Sequence, residues 1–248
     1  MAIRSVAKRW KRRERRRPLG RAFPVEQEGM KTLLISGSDT DVGKTWVTAS
    51  LARLLASRGA RVQVVKPVET GVGPGESGDV ERVLGGCESE LVEGFTIRRY
   101  REAVAPLAAA EREGLAFCID DLVTEVARLP ECDWRLVEGA GSIAVPLDGE
   151  GRDWADFGKE ILADRVLLVV TDRLGGIGQA RMAFSYAESK GLRAGIWMNE
   201  VSPQDESTRR ATLVGIEKCG LPLWATQRFG QREPQLRALG KMELGVEG

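Results

Sequence analysis

From about residue 31 onward, short apolar runs alternate with longer stretches of helical periodicity. Runs such as "KTLLISG" and "DRVLLVVTD" are apolar almost throughout, which predicts buried strands. Strands are predicted at residues 31–37, 61–67, 134–141 (breaking into a glycine turn), 164–172, 193–199 and 221–226. Other stretches repeat apolar residues every three or four positions. These predict helices at residues 44–59, 79–84, 118–129, 178–191 and 205–220.

This alternation of strands and helices predicts an α/β fold, in which a parallel sheet carries helices on both faces. Residues 71–94 are rich in glycine, and the strand at residues 221–226 is expected to be the last. No internal repeat and no change of composition follow residue 30. We therefore expect one P-loop NTPase-like catalytic domain over residues 30–248.

Composition narrows the chemistry available to this domain. The chain has 248 residues, 42% hydrophobic and 29% charged, which is typical of a soluble globular protein. It contains no histidine, so acid–base steps must use lysine, carboxylates, the substrate or water. The four cysteines follow no metal-ligand spacing, which favours free thiols in a reducing cytoplasm. No apolar run approaches the roughly 20 residues of a membrane span.

Residues 1–29 differ in charge from the rest of the chain. They hold ten basic and three acidic residues, whereas the remainder is net acidic. So little apolar content predicts a disordered basic arm, able to bind nucleic acid or an acidic membrane surface. Alternatively, the arm has no role in the fold, since Met30 directly precedes the first predicted strand.

The stretch "GSDTDVGKT", residues 37–45, lies between a predicted strand and a predicted helix, the context of a phosphate-binding loop. Backbone amides of Val42, Gly43, Lys44 and Thr45 would point at phosphate oxygens at the helix N terminus. Lys44 would bridge the outer phosphates, and Thr45 would offer its hydroxyl to Mg²⁺. The loop therefore predicts a nucleotide site with a place for Mg²⁺.

Two acids interrupt this loop. Asp39 could cap the turn through its own backbone, and Asp41 could lie at the rim of the cradle or in the metal shell.

Three further residues lie where strands meet loops. Lys66 lies near the carboxyl end of the second strand, the edge that faces a ligand in an open α/β sheet, although it could be a solvated lysine. Asp79 precedes a short helix, where it could act as an N-cap. Glu138 ends a strand before glycines that allow a ligand to approach, and an acid there is a common Mg²⁺ partner.

In this order and spacing, the motifs resemble the dethiobiotin synthase family over roughly residues 31–245. The matching stretches are "GSDTDVGKT", "KPVETG", "SGD", "APLAAAEREG", "VEGAG", "RLGGIGQA" and "NEVSP". The resemblance implies a homodimer that makes dethiobiotin, in biotin synthesis, from 7,8-diaminononanoate, CO₂ and ATP. One amine captures CO₂ as a carbamate, ATP phosphorylates it, and the second amine closes a cyclic urea.

The resemblance also implies the roles of individual residues. Lys44 and Lys66 would be catalytic cations. Mg²⁺ would be held by Thr45, Asp79 and Glu138. The nucleotide would contact Asp41, Val42, Gly43, Lys44, Thr45 and Asn199. The substrate would contact Thr40, Thr70, Glu138 and Gly141.

The sequence departs from the family outside the phosphate and metal half of the site. Gly178 and Gln179 stand where the family usually has Asn-His, and Ala105-Pro106-Leu107 where it often has Ser-Pro-His. A tyrosine is missing near Ala211, and Ala225-Thr226-Gln227-Arg228 replaces the stretch that contacts the purine. In the family, these positions would hold the carboxylate tail of the substrate, across the dimer, and the base of the nucleotide.

Two other functions compete with dethiobiotin synthesis. One is a related ATP-dependent ligase that acts on another substrate. The other is a ParA-like partitioning ATPase, an ATP-driven switch whose basic arm would bind DNA. Partitioning ATPases generally carry an extra lysine near the start of the loop, and Gly37-Ser38 offers none.

Overall fold

A computed structural model describes residues 29–246 of the chain. The strands are β1 Lys31–Gly37, β2 Val62–Glu69, β3 Val92–Arg99, β4 Trp134–Glu138, β5 Arg165–Thr171, β6 Ala194–Asn199, β7 Leu223–Gln227 and β8 Gln235–Leu236. The helices are α1 Lys44–Ala56, α2 Asp79–Cys87, α3 Pro106–Glu113, α4 Ile119–Ala127, α5 Trp154–Glu160, α6 Gly176–Ser189, α7 Glu206–Lys218 and α8 Ala238–Glu243. The expectation of a disordered arm at residues 1–29 falls, except for Gly29, outside the described residues.

The strands form one sheet in the order β3-β2-β4-β1-β5-β6-β7-β8. Successive side chains of β1 enter two separate hydrophobic cores, with Leu34 in one and Leu33 and Ile35 in the other. Both faces of the sheet are therefore covered, which is why its central strands read as continuous apolar runs. This confirms the predicted α/β class. No helix within residues 29–246 is long and apolar enough to cross a membrane.

Two strands were not predicted. β3 pairs in parallel with β2 at one edge of the sheet, where glycine and half-buried polar residues hide the strand pattern. Gly94 lies in β3 because α2 packs closely over it: an added Cβ would come within 2.3 Å of Val80. At the other edge, the short β8 pairs antiparallel with β7, so residues 221–226 do not contain the last strand. Helices α3, α5 and α8 were also not predicted.

The parallel strands bring their carboxyl ends to one edge of the sheet. Central β1 pairs with β4 on one side and β5 on the other, which makes the end of β1 a topological switch point. Glu138 of β4 lies level with Ile35 of β1. On its other side, β4 pairs with β2, and Val65 of β2 lies level with Val137 of β4. The next residues along the two strands, Lys66 and Glu138, are therefore neighbours.

Candidate active site

Lys66 is the buried centre of the charge cluster at this edge. Its Nζ lies 2.7 Å from Asp79 Oδ2 and 2.8 Å from Glu138 Oε1, and it donates to Gly139 O at 3.2 Å. Burial acts to lower the pKa of Lys66, but the charges of Glu138 and Asp79 outweigh it and raise the pKa. Lys66 is thus a fixed cation and not the solvated strand-end lysine considered above.

Glu138 joins this cluster to the phosphate-binding loop. Its Oε1 accepts from Thr45 Oγ1 at 2.9 Å, and its Oε2 accepts from Thr48 Oγ1 at 2.6 Å. Both hydroxyls come from the first turns of α1, and Thr48 also donates to Lys44 O. The carboxylate is therefore buried with hydrogen bonds on both oxygens.

Asp79 does not cap α2, as one alternative held, because the N-cap residue is Gly78. The Gly78 amide instead donates to Glu81 at 2.9 Å. The amide of Asp79 donates to Glu69, which leaves the Asp79 carboxylate free to face Lys66. Burial acts to raise the pKa of Asp79, but Lys66 and the Thr45 hydroxyl outweigh it and lower the pKa.

Lys44 lies inside the loop, where its Nζ donates to Asp39 O at 3.0 Å. Burial, and then the nearby charge of Lys66, lowers the pKa of Lys44 to about 8. Lys66 is paired with two carboxylates, whereas Lys44 donates to a neutral carbonyl, so the charge of Lys44 is available to an anion.

The two acids of the loop behave differently from one another. Asp39 accepts the amide of Thr40 at 2.8 Å, as expected of a residue that stabilises the turn. Asp41 has a left-handed backbone, with φ 53°, and an exposed side chain at the rim. Its charge acts to raise the pKa of Lys44.

Asn199 stabilises the phosphate-binding loop through a hydrogen bond. It ends β6 and donates from Nδ2 to Val42 O at 2.9 Å. Gly43 has φ 84°, and an added Cβ would come within 2.2 Å of Asn199 Nδ2, so this position requires glycine.

These groups surround a cavity of about 350 Å³, here called the reaction cavity. It brings together most of the predicted site residues, and is lined by Thr40, Asp41, Gly43, Lys44, Thr45, Lys66, Thr70, Asp79, Arg82, Glu138, Ala140 and Gly141. Val42 and Asn199 are not among its lining residues.

A second cavity, of about 450 Å³, adjoins the other side of the loop and is here called the base cavity. Its lining is more apolar and includes two partly exposed aromatic rings, which suits a flat heterocycle. The lining residues are Asp41, Gly43, Trp46, Asn199, Glu200, Val201, Phe229 and Gly230. Asp41 and Gly43 line both cavities.

Several residues that shape the site were missed from the sequence. Thr48 bonds Glu138, and buried Glu69 accepts the Asp79 amide and pairs with Arg99 at 3.0 Å. Glu69 lies within the "KPVETG" motif, which was the available signal. Trp154 donates to Ala140 O at 2.7 Å and so supports the glycine turn after β4.

Among the departures from the family, Gln227 is buried at the end of β7 and donates to Ser50 Oγ at 2.7 Å. Glu200 accepts the amides of Phe229 at 3.0 Å and Gln204 at 2.6 Å, which joins the two loops that border the base cavity. Gln179 lines a separate cavity of about 220 Å³ together with Tyr186.

Sequence comparison identifies relatives along most of the chain. A family model described as an AAA domain matches residues 31–241. An ATP-dependent dethiobiotin synthetase from Rhodococcus erythropolis is 35% identical over 234 residues, covering 88% of this chain and all of the relative. A protein of the same name from Parafrankia sp. is 37% identical over 76% of this chain and 79% of its own. A third protein of that name, from Aquifex aeolicus, is 34% identical and covers 79% of this chain and 89% of its own.

Solved structures with the same fold are more distant. The cell division protein FtsY of Thermotoga maritima has a TM-score of 0.56 at 16% identity, covering 88% of this chain and 69% of its own. The signal recognition particle 54 kDa protein of Aeropyrum pernix has a TM-score of 0.52 at 19% identity, covering 88% and 47%. At these identities the likeness concerns the fold alone.

Proposed function

The chain belongs to the family of ATP-dependent dethiobiotin synthetases, and from this membership we propose that it makes dethiobiotin, in biotin biosynthesis, from 7,8-diaminononanoate, CO₂ and ATP. The observation that carries this proposal is the reaction cavity, which is lined by Lys44 and Lys66 together with the carboxylates of Asp79 and Glu138. A carbamate and a triphosphate repel one another, so bringing them together requires fixed cations.

The chemistry takes three balanced steps. One amine of the diamine adds to CO₂ and loses a proton, which gives a carbamate. A carbamate oxygen attacks the γ-phosphorus of ATP and releases ADP. The second amine then attacks the carbonyl carbon of the mixed anhydride, expels phosphate, and loses a proton as the cyclic urea forms. Histidine is absent from the chain, so water or phosphate takes up these protons.

We assign the two lysines to different parts of this reaction. Lys44 projects from the phosphate-binding loop and contacts the transferred phosphoryl group. Lys66, which lies between Asp79 and Glu138, binds the carbamate and aligns it with that phosphoryl group. Thr40, Thr70 and Gly141 contact the diamine, and they line the same cavity.

The residues present fit Mg²⁺. Thr45, Asp79 and Glu138 offer oxygen donors to one cavity, and a hard cation bound by one or two carboxylates usually completes its shell with phosphates and water. When bound, the ion would neutralise phosphate charge. Asp41 lies at the rim, where it either contributes to the metal shell or binds an ammonium group of the diamine.

ATP would span both cavities. Val42, Gly43, Lys44 and Thr45 provide amides for its phosphates at the N terminus of α1. Its base would occupy the base cavity, which is lined by Asn199, Trp46 and Phe229.

The working form is proposed to be a homodimer in the cytoplasm. Leu174, just before α6, is 91% exposed, and Met182 on α6 is 69% exposed. Met182 also lines the cavity that contains Gln179. A second copy covering this face would bury both side chains. The double variant Leu174→Asp/Met182→Glu should then be monomeric by light scattering, whereas a wild-type monomer would contradict the proposal.

The direct test is incubation of purified protein with 7,8-diaminononanoate, bicarbonate and Mg-ATP, followed by mass detection of the cyclic urea. Urea should form in proportion to ADP and should require the diamine. ATP hydrolysis without urea would point to another substrate. Hydrolysis stimulated by DNA and indifferent to the diamine would point to a partitioning-type switch.

A further inference from the structure

A cavity of about 730 Å³ lies away from the reaction cavity, and the two share no lining residue. It is bordered by α1, the end of α2 and the segment around β8, and its size is that of a small-molecule site. It is here called the basic cavity, because its lining includes Arg53, Arg232 and Lys241 against a single acid, Glu233.

Arg53 is fixed at this cavity by neutral groups. Its guanidinium donates to Gly86 O at 3.2 Å, Ser50 Oγ at 3.2 Å and Arg232 O at 2.5 Å. These acceptors orient the side chain without neutralising its charge. Such an arginine is already positioned for an anion, so little ordering is lost on binding.

The other two cations are also unpaired. Neither Arg232 nor Lys241 forms an ion pair with any residue of the described range 29–246, and both side chains are exposed. With Glu233 counted, the lining carries two net positive charges. The Ser89 hydroxyl, which accepts from the Leu91 amide, adds a hydrogen-bond donor, and Leu54, Pro234 and Leu236 add an apolar wall.

One segment, residues 228–234, connects the basic cavity to the base cavity. Phe229 and Gly230 line the base cavity, and Arg232 and Glu233 line the basic cavity. Between them, Gln231 O accepts from Trp46 Nε1 at 3.1 Å and from Gln227 Nε2 at 2.8 Å. An anion that draws Arg232 toward Arg53 would therefore also order the wall of the base cavity.

We propose that the basic cavity is a second anion site, which binds a phosphate dianion and thereby alters nucleotide affinity. The doubly positive lining matches a phosphate group, and arginine recognises phosphate through paired N–H donors. Coupling through residues 228–234 is reciprocal, so bound nucleotide must change phosphate affinity by the same factor.

The experiment separates this site from the phosphate-binding loop. The full chain is first saturated with Mg²⁺ and a non-hydrolysable imido analogue of ATP, and inorganic phosphate is then titrated by calorimetry. The test variant is Arg232→Gln/Lys241→Gln. The matched control is Arg210→Gln/Lys218→Gln, two exposed cations of α7 that do not line this cavity. Circular dichroism establishes folding, and Lys241→Gln alone replaces the double variant if that fails to fold.

Wild type and control should bind one phosphate per chain, and the test variant should bind it at least about tenfold more weakly, since each charge-assisted contact contributes roughly that factor. A nucleotide-saturated wild type that binds no phosphate, or a test variant that binds it normally, would overturn the site. Phenyl phosphate binding more tightly than phosphate would assign an organic ester as the ligand, and weaker binding would assign the free ion.

A second measurement tests the coupling. The dissociation constant of the imido analogue is compared with and without phosphate in wild type and test variant, because competition at the loop is common to both. A phosphate effect that differs between them supports the coupling. An identical effect overturns it, and neither result depends on the diamine or on turnover.

Discussion

Replacing Lys66 with methionine removes a buried positive charge while keeping a side chain of similar length. Lys66 lies between the carboxylates of Asp79 and Glu138, and its side chain is 4% exposed. Without it, the two acids would face each other with no cation between them. The variant therefore tests both the stability of the cluster and its proposed role in binding the carbamate.

The separations set the magnitude. At 2.7 and 2.8 Å, each pair has a Coulomb attraction of about 6 kcal/mol at an effective dielectric constant of about 20. Desolvation offsets much of this, and breaking a buried pair by removing one partner costs about 3–5 kcal/mol. We expect Lys66→Met to lower the free energy of unfolding by that amount. Urea formation should fall by about 10²–10³ or more, because the cation is aimed at developing charge.

Denaturant unfolding and the mass assay for the cyclic urea measure the two effects. Mg²⁺ should restore part of the lost stability in Lys66→Met, because a divalent cation can bind the carboxylate oxygens that have lost their lysine partner. The matched control is Lys190→Met: Lys190 pairs with Asp156 at the same 2.8 Å, but its own side chain is 28% exposed, so this variant should lose about 1 kcal/mol or less.

Wild-type turnover in Lys66→Met would refute the catalytic role. Unchanged stability would refute the idea that the lysine neutralises the buried Glu138 and the partly buried Asp79. A loss of stability with normal turnover, once the folded fraction is taken into account, would restrict Lys66 to a structural role.

Four further predictions follow from the same geometry. Lys44→Ala should abolish urea formation with little change in the unfolding midpoint, because its charge is aimed at phosphate; wild-type turnover would refute this. Asp79→Asn and Glu138→Gln should each raise the Mg²⁺ concentration needed for half-maximal activity, since an amide is a poorer ligand for a hard cation. An unchanged Mg²⁺ titration would remove that residue from the proposed ligands. Deleting residues 1–29 should leave activity and melting temperature intact, and a large fall in either would show that the arm is needed. Burial raises the pKa of Asp172 to about 6 despite its arginine partner, so the native state binds an extra proton between about pH 4 and 6. As pH rises through that range, the free energy of unfolding of wild type should therefore fall relative to that of Asp172→Asn, by at most about 3 kcal/mol. Denaturant unfolding at several pH values measures this, and a difference between the two proteins that does not change with pH would contradict it.

Much of the fold and site could be predicted from local pattern. The run "KTLLISG" is β1, and the Gly-Lys-Thr that follows opens α1, because strand periodicity and the loop motif are both encoded within a few residues. Lys66 and Glu138 could be placed near the ends of parallel strands for the same reason. Edge strand β3 escaped prediction, since its pattern depends on what α2 covers and not on its own sequence.

What the sequence by itself determined was the class of fold, the phosphate-binding loop and the short list of charged residues beside it, since each depends on neighbours along the chain. Only the tertiary structure decided what those charges do. It placed Lys66 between Asp79 and Glu138, assigned the N-cap of α2 to Gly78, and brought Arg53, Arg232 and Lys241 around one cavity. Those contacts join residues from about 10 to nearly 190 positions apart, and their energies depend on burial and distance, which no local pattern in the sequence specifies.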